Sequence, residues 1–154
     1  TCSISVALYD GDELLFGVIA SYPNGNFSWG GKKIGAFIDN FEIKFSSIDE
    51  CEKGILCTGF PSRFEFDYES INNQISIMKK FGKVRMLGSA SQSLLMVAQG
   101  SAEAYVENEI MLWDVAAGLA ILEGAGGNFT CKKGSSEYAL NVFASNGLIK
   151  KRTN

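Results

Sequence analysis

One acidic residue stands where a carboxylate could either begin a helix or bind a metal ion. Asp114 follows Trp113 and precedes the small residues Ala116-Ala117-Gly118, which allow a helix to pack closely against its neighbours. Aspartate is a favoured N-cap, because its side chain accepts hydrogen bonds from the first free N–H groups of a helix. The same carboxylate could be a ligand of Mg²⁺, which prefers hard oxygen donors. Composition alone favours the capping interpretation and leaves magnesium binding as the alternative.

A second candidate lies in a predicted turn between a strand and a helix. Gly88-Ser89-Ala90 follows a strand predicted over residues 84–87 and precedes a predicted helix that carries Leu94 and Leu95. The first N–H groups of a helix have no partner within the helix, so they form a natural anion site. No Gly-Lys-Ser/Thr follows, which excludes a Walker-type phosphate loop. Taken alone, the segment is more typical of an ordinary turn with a serine N-cap.

A further carboxylate, Glu107, comes seven residues before Asp114 and directly after the apolar residues Ala104-Tyr105-Val106. Alone, it is typical of a solvated strand end. The acidic residues Asp10 and Asp12 need no catalytic explanation, because Asp-Gly between two apolar segments is a strong hairpin signal.

The composition restricts the chemistry further. The chain of 154 residues contains no histidine, which excludes His-based triads, imidazole acid–base catalysis and nearly every zinc site. Its 14 basic and 17 acidic residues give a net charge of −3, so no basic excess attracts nucleic acid or an anionic membrane. No segment approaches the roughly 20 uninterrupted apolar residues of a membrane span. We therefore expect neither a nucleic-acid partner nor a membrane partner.

The cysteines do not predict a metal site or a disulfide framework. Cys2, Cys51, Cys57 and Cys131 have no Cys-x-x-Cys spacing, and no histidine is present to complete a ligand set. A chain of this length can bury a core without covalent cross-links. We therefore expect free thiols and a cytoplasmic location.

Periodicity divides the chain into two predicted parts. Residues 1–50 contain short alternating segments separated by turn signals such as Asp10-Gly11 and Asp39-Asn40, which predicts an antiparallel meander. Within it, residues 13–21 are nearly all apolar, which predicts a strand buried on both faces. Residues 51–154 alternate strand and helix signals instead, which predicts an α/β arrangement with largely parallel strands.

The first helix of the second part is predicted over residues 68–81. Its apolar stripe consists of Ile71, Ile75 and Met78, spaced four and three residues apart, which is typical of one helix face.

Several segments follow one another at fixed spacing in the second part. In order they are Gly88-Ser89-Ala90, Val97-Ala98-Gln99-Gly100, Ala104-Tyr105-Val106-Glu107, Trp113-Asp114-Val115-Ala116-Ala117-Gly118 and Ala125-Gly126-Gly127. Their order and spacing closely resemble the C-terminal signature of the inositol monophosphatase family, and Trp-Asp-x-Ala-Ala-Gly before Ala-Gly-Gly is its specific part. The resemblance extends back through Gly59-Phe60-Pro61 to Gly17-Val18 and forward to Ala144-Ser145-Asn146, so it covers most of the chain.

The resemblance implies a fold and an activity. The family fold is layered, αβαβα, and its members are Mg²⁺-dependent, lithium-sensitive phosphatases that hydrolyse small phosphate monoesters with a metal-activated water. It also implies a homodimer and a small phosphorylated polyol or sugar as substrate. Because the metal lowers the pKa of its bound water, the absence of histidine is compatible with this mechanism.

Site residues can be transferred by the same resemblance. Asp114 corresponds to a catalytic metal ligand that also meets the substrate, and Gly88, Ser89 and Ala90 correspond to a segment that contacts inositol and its phosphate. Glu107 corresponds to the acceptor for a substrate hydroxyl.

The family's other metal ligands are missing from this sequence. They lie in a Gly-Glu-Glu segment and in Asp-Pro-x-Asp-Gly-Thr, which the family carries upstream of the first strand seen here. One carboxylate cannot hold several Mg²⁺ ions with near-octahedral geometry. We therefore expect residues 1–50 to be strands of the family's central sheet and residues 51–154 to be its C-terminal α/β part. Without the N-terminal metal-binding part, we expect this chain to be inactive alone.

Two classes of function stay open. The chain is either the larger C-terminal piece of a phosphatase or a module that binds phosphate or a partner without catalysis. Within the enzyme class, inositol 1-phosphate is favoured over fructose 1,6-bisphosphate or a nucleotide 3′-phosphate. The reason is that Glu107 suits a hydroxyl and would repel a second phosphate.

Overall fold

The computed structural model describes residues 2–61, 64 and 66–149, and these residues form two sheets with helices packed on them. The strands are β1 (Cys2–Asp10), β2 (Glu13–Tyr22), β3 (Phe27–Gly31), β4 (Gly35–Ile38), β5 (Phe41–Glu42), β6 (Ile55–Thr58), β7 (Lys83–Arg85), β8 (Ala104–Met111), β9 (Asn128–Lys133) and β10 (Ala139–Ser145). The helices are α1 (Tyr68–Met78), α2 (Ala90–Ala98) and α3 (Leu112–Gly124), and a 3-10 turn spans Cys51–Lys53. This mixed architecture confirms the predicted α/β class. Residues 1, 62, 63, 65 and 150–154 of the predicted parts lie outside the described residues.

The first sheet is the predicted antiparallel meander. Its strands follow one another in the order β1-β2-β3-β4-β5, and each pair of neighbours is antiparallel. The β1–β2 hairpin turns at Gly11, whose φ of +58° lies in the left-handed region that favours glycine. The local alternation and the Asp-Gly signal were therefore sufficient to predict this half of the fold.

The second sheet is less parallel than predicted. Its strand order is β7-β6-β8-β10-β9, and β6 is parallel to both β7 and β8. However, β10 is antiparallel to both β8 and β9, so two of the four pairings are antiparallel. Only residues 134–138 join β9 to β10. A connection that short permits an antiparallel hairpin but not the crossover that parallel strands require.

Helices α2 and α3 lie between the two sheets and share one core with both. The core cluster contains Ile19 from β2, Leu94 from α2, Leu122 from α3 and Val142 from β10. Every residue from 115 to 122 of α3 is buried, as expected for a helix with apolar surroundings on all sides. The approach is close enough that a Cβ at Gly17 of β2 would lie 2.3 Å from the backbone oxygen of Ala117.

Helix α1 covers part of the opposite face of the second sheet. Leu56 and Val106 form a second cluster there with Ile77 and Met78 of the helix. The helix starts at an N-cap, Asp67, whose carboxylate accepts hydrogen bonds from the N–H groups of residues 69 and 70, and it ends at Met78, three residues before the predicted end. The predicted stripe is partly wrong, because Ile75 is 39% exposed and Ile77 faces the sheet instead.

The first sheet has an apolar face that no described element covers. We name it the outer apolar face, and its exposed members are Ile4, Val6 and Leu8 of β1, Tyr22 of β2 and Phe27 of β3. Ile4 and Val6 are 62% and 63% exposed. This is why β2 is not buried on both faces, contrary to the prediction: only Gly17 and Ile19 are fully buried within it.

No helix among the described residues is long and apolar enough to cross a membrane.

Candidate active site

A cavity of about 660 Å³ lies where β1, the end of β6, the start of α2 and the junction of β8 with α3 meet. All the site residues transferred from sequence line it: Gly88, Ser89, Ala90, Glu107 and Asp114. The fold therefore brings together residues that are up to 26 positions apart in the chain. A second cavity of about 440 Å³, between α1 and the second sheet, contains none of them.

The turn into α2 has the conformation that its sequence predicted. Gly88 has a φ of +68°, and nothing lies within 4 Å of where its Cβ would be, so glycine is needed there for its backbone conformation. Ser89 is the N-cap of α2, and its hydroxyl accepts a long hydrogen bond of 3.5 Å from the Gln92 N–H. The helix thus begins at Ala90, on the cavity wall, and the start of a helix carries partial positive charge.

Serine hydroxyls connect this turn to the first sheet. The Ser91 Oγ lies 2.7 Å from the Ser3 Oγ of β1 and 3.2 Å from the Ser89 Oγ. Ser3 and Ser91 both line the cavity, and neither was identified as a site residue from the sequence. No local sequence pattern could have predicted the contact between Ser3 and Ser91, because these residues are 88 positions apart.

Glu107 is not a solvated strand end, contrary to its interpretation in isolation. It lies within β8 and is only 8% exposed, because the strand continues to Met111. The Tyr105 hydroxyl donates a hydrogen bond of 2.9 Å to the Glu107 Oε2. Burial raises the pKa of Glu107, the hydrogen bond from Tyr105 opposes that rise, and the negative charge of Asp114 adds to it.

The structure also corrects the interpretation of Asp114 as an N-cap. Helix α3 begins at Leu112, directly after β8, so the N-cap is Met111 and Asp114 lies in the first turn. The helix starts earlier than predicted because no loop separates it from the strand. Among the described residues, no group donates a hydrogen bond to the Asp114 carboxylate. Partial desolvation raises its pKa, and its carboxylate is available to a ligand in the cavity.

The described residues do not form a complete magnesium site. No group of three or more Cys, Asp or Glu side chains within residues 2–61, 64 and 66–149 is placed to hold a metal ion. Asp114 and Glu107 are the acidic residues of the cavity, and Mg²⁺ usually takes more oxygen ligands than two carboxylates supply. A metal centre at this cavity would need ligands from elsewhere.

Comparison with known proteins places the chain in a family. The sequence model of the inositol monophosphatase family matches residues 1–153. A fructose-1,6-bisphosphatase/inositol-1-monophosphatase of Aquifex aeolicus (strain VF5) is 33% identical over 129 residues, covering 83% of this chain and 49% of that protein. The chloroplastic phosphatase IMPL1 of Arabidopsis thaliana is 32% identical over 154 residues, covering 92% of this chain and 40% of that protein.

Solved structures agree with this placement. An inositol monophosphatase from Anabaena (Nostoc) sp. PCC 7120 has a TM-score of 0.84 and 31% identity, covering 96% of this chain and 61% of that chain. The chain is therefore similar in sequence and in fold to proteins named as phosphatases. The chain belongs to the inositol monophosphatase family. It spans about half the length of the curated relatives that it matches.

The raised pKa of Glu107 predicts how stability should depend on pH. A group whose folded-state pKa is raised stabilises the fold below its unfolded value of about 4.5, and this contribution is lost as the pH rises through the folded value. Glu107→Gln removes the ionisation, so the variant should be more stable than the wild type near pH 8, and the difference should vanish near pH 4. Thermal unfolding of the variant and the wild type across that pH range measures the difference in stability.

Glu109 of the same strand is a matched control, because its pKa is shifted in the opposite direction. The hydroxyl and N–H of Ser135 donate hydrogen bonds to the Glu109 carboxylate and lower its pKa. Glu109→Gln should therefore lose stability above about pH 4.5, and this loss should shrink as the pH falls. Equal pH dependence in the two variants would contradict the assignment of opposite environments.

Proposed function

We propose that this chain is the substrate-binding part of a metal-dependent phosphomonoesterase that acts on a small phosphorylated polyol. The observation that supports the proposal most is that one cavity collects Gly88, Ser89, Ala90, Glu107 and Asp114. A helix start, a buried acceptor and an open carboxylate together suit a ligand with a phosphate group at one end and hydroxyl groups at the other.

In this proposal, Asp114 is one ligand of a bound Mg²⁺, and the remaining ligands come from outside the described residues. Its carboxylate is partly desolvated and receives no hydrogen bond from the described part of the chain, so a nearby cation would stabilise its charged form. When bound, the metal would lower the pKa of a water and neutralise charge on the phosphoryl group. Gly88, Ser89 and Ala90 would orient the phosphate at the start of α2.

Glu107 supports the choice of a polyol monophosphate. Its carboxylate can accept a hydrogen bond from a substrate hydroxyl, whereas a second phosphate would meet like charge from both Glu107 and Asp114. This favours inositol 1-phosphate as the substrate. Fructose 1,6-bisphosphate is the second candidate, because the printed name of the Aquifex aeolicus relative includes both activities. A nucleotide 3′-phosphate is less favoured by the same charge argument.

The proposal also requires a part of the protein that the described chain does not supply. The relatives are about twice as long as this chain, and the outer apolar face offers a surface on which a further layer would pack. We use the term complete protein for the product of the full reading frame that encodes this chain. If that product carries no further carboxylate ligands, a non-catalytic module that binds phosphate or a partner becomes the better proposal.

A homodimer and a cytoplasmic location are part of the same proposal. The dimer rests on the family resemblance, and the cytoplasmic location rests on the cysteines, because the free thiols of Cys2, Cys57 and Cys131 are compatible with a reducing compartment. Light scattering of the complete protein would test the dimer, and cell fractionation would test the location.

Substrate class can be tested through Glu107 in the complete protein with Mg²⁺. A hydrogen bond to a charged acceptor contributes about 1.5–3 kcal/mol, so Glu107→Gln should lower kcat/KM for inositol 1-phosphate by roughly ten- to a hundredfold. Hydrolysis of phenyl phosphate, which has no neighbouring hydroxyl, should hardly change. The measurement is kcat/KM for both substrates side by side. Equal losses on both would mean that Glu107 supports the metal centre or the fold, and the polyol proposal would be wrong.

A further inference from the structure

The position of the Glu107 carboxylate is fixed from within its own strand. Tyr105 and Glu107 are two residues apart in β8, so their side chains lie on the same face, and the tyrosine hydroxyl donates to the Glu107 Oε2 at 2.9 Å. Tyr105 is fully buried in the core between the sheets. Its ring therefore cannot swing into solvent, and its hydroxyl offers a fixed donor.

The carboxylate is also confined from the neighbouring strand. Thr58 of β6 pairs with Val106 of β8, so the next residue, Gly59, comes to lie beside Glu107. A Cβ on Gly59 would be 2.8 Å from the Glu107 Oε2 and 3.0 Å from its Cδ, closer than real Cβ atoms normally approach. The φ of Gly59 is not in the left-handed region, so its backbone would accept alanine. Glycine at this position therefore provides space for a carboxylate.

The backbone at Gly59 has little freedom to retreat from such a contact. The Thr58 hydroxyl donates a hydrogen bond of 2.6 Å to the Val106 carbonyl oxygen, and the Gln74 amide of α1 donates one of 2.7 Å to the Thr58 Oγ1. Both bonds are buried and tie the end of β6 to β8 and to α1. A methyl group at position 59 must then displace the Glu107 carboxylate.

We infer that Gly59 and Tyr105 are positioning residues that hold the Glu107 carboxylate in the orientation needed to accept a substrate hydroxyl. Gly59 does so by leaving the space open, and Tyr105 does so by donating a hydrogen bond. They thereby determine the preference for a polyol phosphate through Glu107. This inference rests on the proposed function for its substrate, whereas the coupling of Gly59 to Glu107 can be measured without any activity.

The coupling is tested by a double-mutant cycle in thermal stability. Gly59→Ala should lower the melting temperature of the chain, because the new methyl group meets the carboxylate. In a Glu107→Ala background the same substitution should cost far less, since the methyl group can occupy the vacated space. If Gly59→Ala alone does not fold, recovery of a folded double variant is the expected result. An equal loss in both backgrounds would overturn the inference.

Gly54 gives a matched control for the added methyl group. It lies directly before β6, as Gly59 lies directly after it. A Cβ on Gly54 would meet the side chain of a different buried glutamate, at 3.2 Å from the Glu103 Cβ. The stability change caused by Gly54→Ala should be the same with and without the Glu107 side chain. A rescue of Gly54→Ala by Glu107→Ala would show that the coupling is not specific.

The effect on specificity is measured with the complete protein, Mg²⁺ and the same two substrates. Gly59→Ala and Tyr105→Phe should each lower kcat/KM for inositol 1-phosphate about tenfold relative to phenyl phosphate, as expected for the loss of one aligned hydrogen bond. Gly54→Ala should leave the ratio of the two substrates unchanged. If the stability cycle shows coupling but the substrate ratio does not change, the role in specificity is overturned. If the wild-type protein hydrolyses neither substrate, the proposed function fails, and the stability cycle still decides whether Gly59 positions Glu107.

Discussion

Asp114→Asn should lower the phosphatase activity of the complete protein by about a thousandfold, because a catalytic metal supplies several kcal/mol of charge stabilisation and asparagine removes the charge that holds it. The melting temperature should change little. Asp114 is not the N-cap of α3, and its carboxylate receives no hydrogen bond from the described residues, so asparagine removes no hydrogen bond that holds the fold. Phosphate release and thermal unfolding of the same preparations measure the two effects.

Asp67 is the control, because its replacement should lower stability and leave activity unchanged. Its carboxylate accepts hydrogen bonds from the N–H groups of Glu69 and Ser70 and caps α1, and it is not among the residues that line the site cavity. Asp67→Ala should therefore lower the melting temperature while leaving phosphate release per folded molecule unchanged. Survival of activity in Asp114→Asn together with a loss of stability would mean that Asp114 has a structural role.

The 154-residue chain should show no detectable hydrolysis of inositol 1-phosphate with Mg²⁺, whereas the complete protein should be active. The described residues contain no group of three or more side chains that could hold a metal ion, and two carboxylates leave most of the coordination positions of Mg²⁺ to water. A loosely held ion of this kind neither positions the phosphate nor activates a particular water. A phosphate-release assay on both proteins, with far-UV circular dichroism to verify folding, measures the difference.

The outcomes of this comparison separate the two classes of function. Robust turnover by the folded chain would overturn the proposal that further ligands are required. An inactive complete protein that still binds inositol 1-phosphate would support the non-catalytic module. Activity confined to the complete protein would support the phosphatase.

Local patterns predicted the first sheet better than the second. The meander needs only short alternating segments and tight turns, and both are visible in the sequence around Gly11. The prediction of largely parallel strands did not anticipate the antiparallel pairings of β10, because strand–helix alternation does not specify how the last two strands return to the sheet. The stripe of α1 failed at Ile75 for a related reason: which side of a helix is covered depends on the sheet it packs against.

The candidate site was found from motifs, but its environment was not. The residues transferred by resemblance do line one cavity, yet the space for the Glu107 carboxylate is left open by Gly59, which is 48 positions away in the chain. The capping interpretation of Asp114 failed because a helix that continues directly from a strand has no loop to mark its start. The proximity of Gly59 to Glu107 arises from the pairing of two distant strands, and the direct junction of β8 with α3 lacks the turn residues that would mark it in the sequence.

Other motif residues serve packing. A Cβ on Gly118 would lie 2.7 Å from the Leu94 Cβ, so glycine allows α3 to approach α2 closely. Gly126 has a φ of +93°, a conformation that suits the chain where α3 ends. The segments that carry the family resemblance therefore include glycines required for packing between the sheets, as well as residues that line the site cavity.

The outer apolar face has a practical consequence for work with the isolated chain. Strand β1 is the edge strand of the first sheet, so it combines a row of exposed apolar side chains with backbone groups that no described strand pairs. Such an edge is a template for adding a strand from another molecule. Preparations of the chain alone should then lose monomer by self-association as the concentration rises, and the amphipathic dye 8-anilinonaphthalene-1-sulfonate should bind to the folded state. Storage at low concentration, or fusion to a partner that covers β1, follows as the way to keep it in solution.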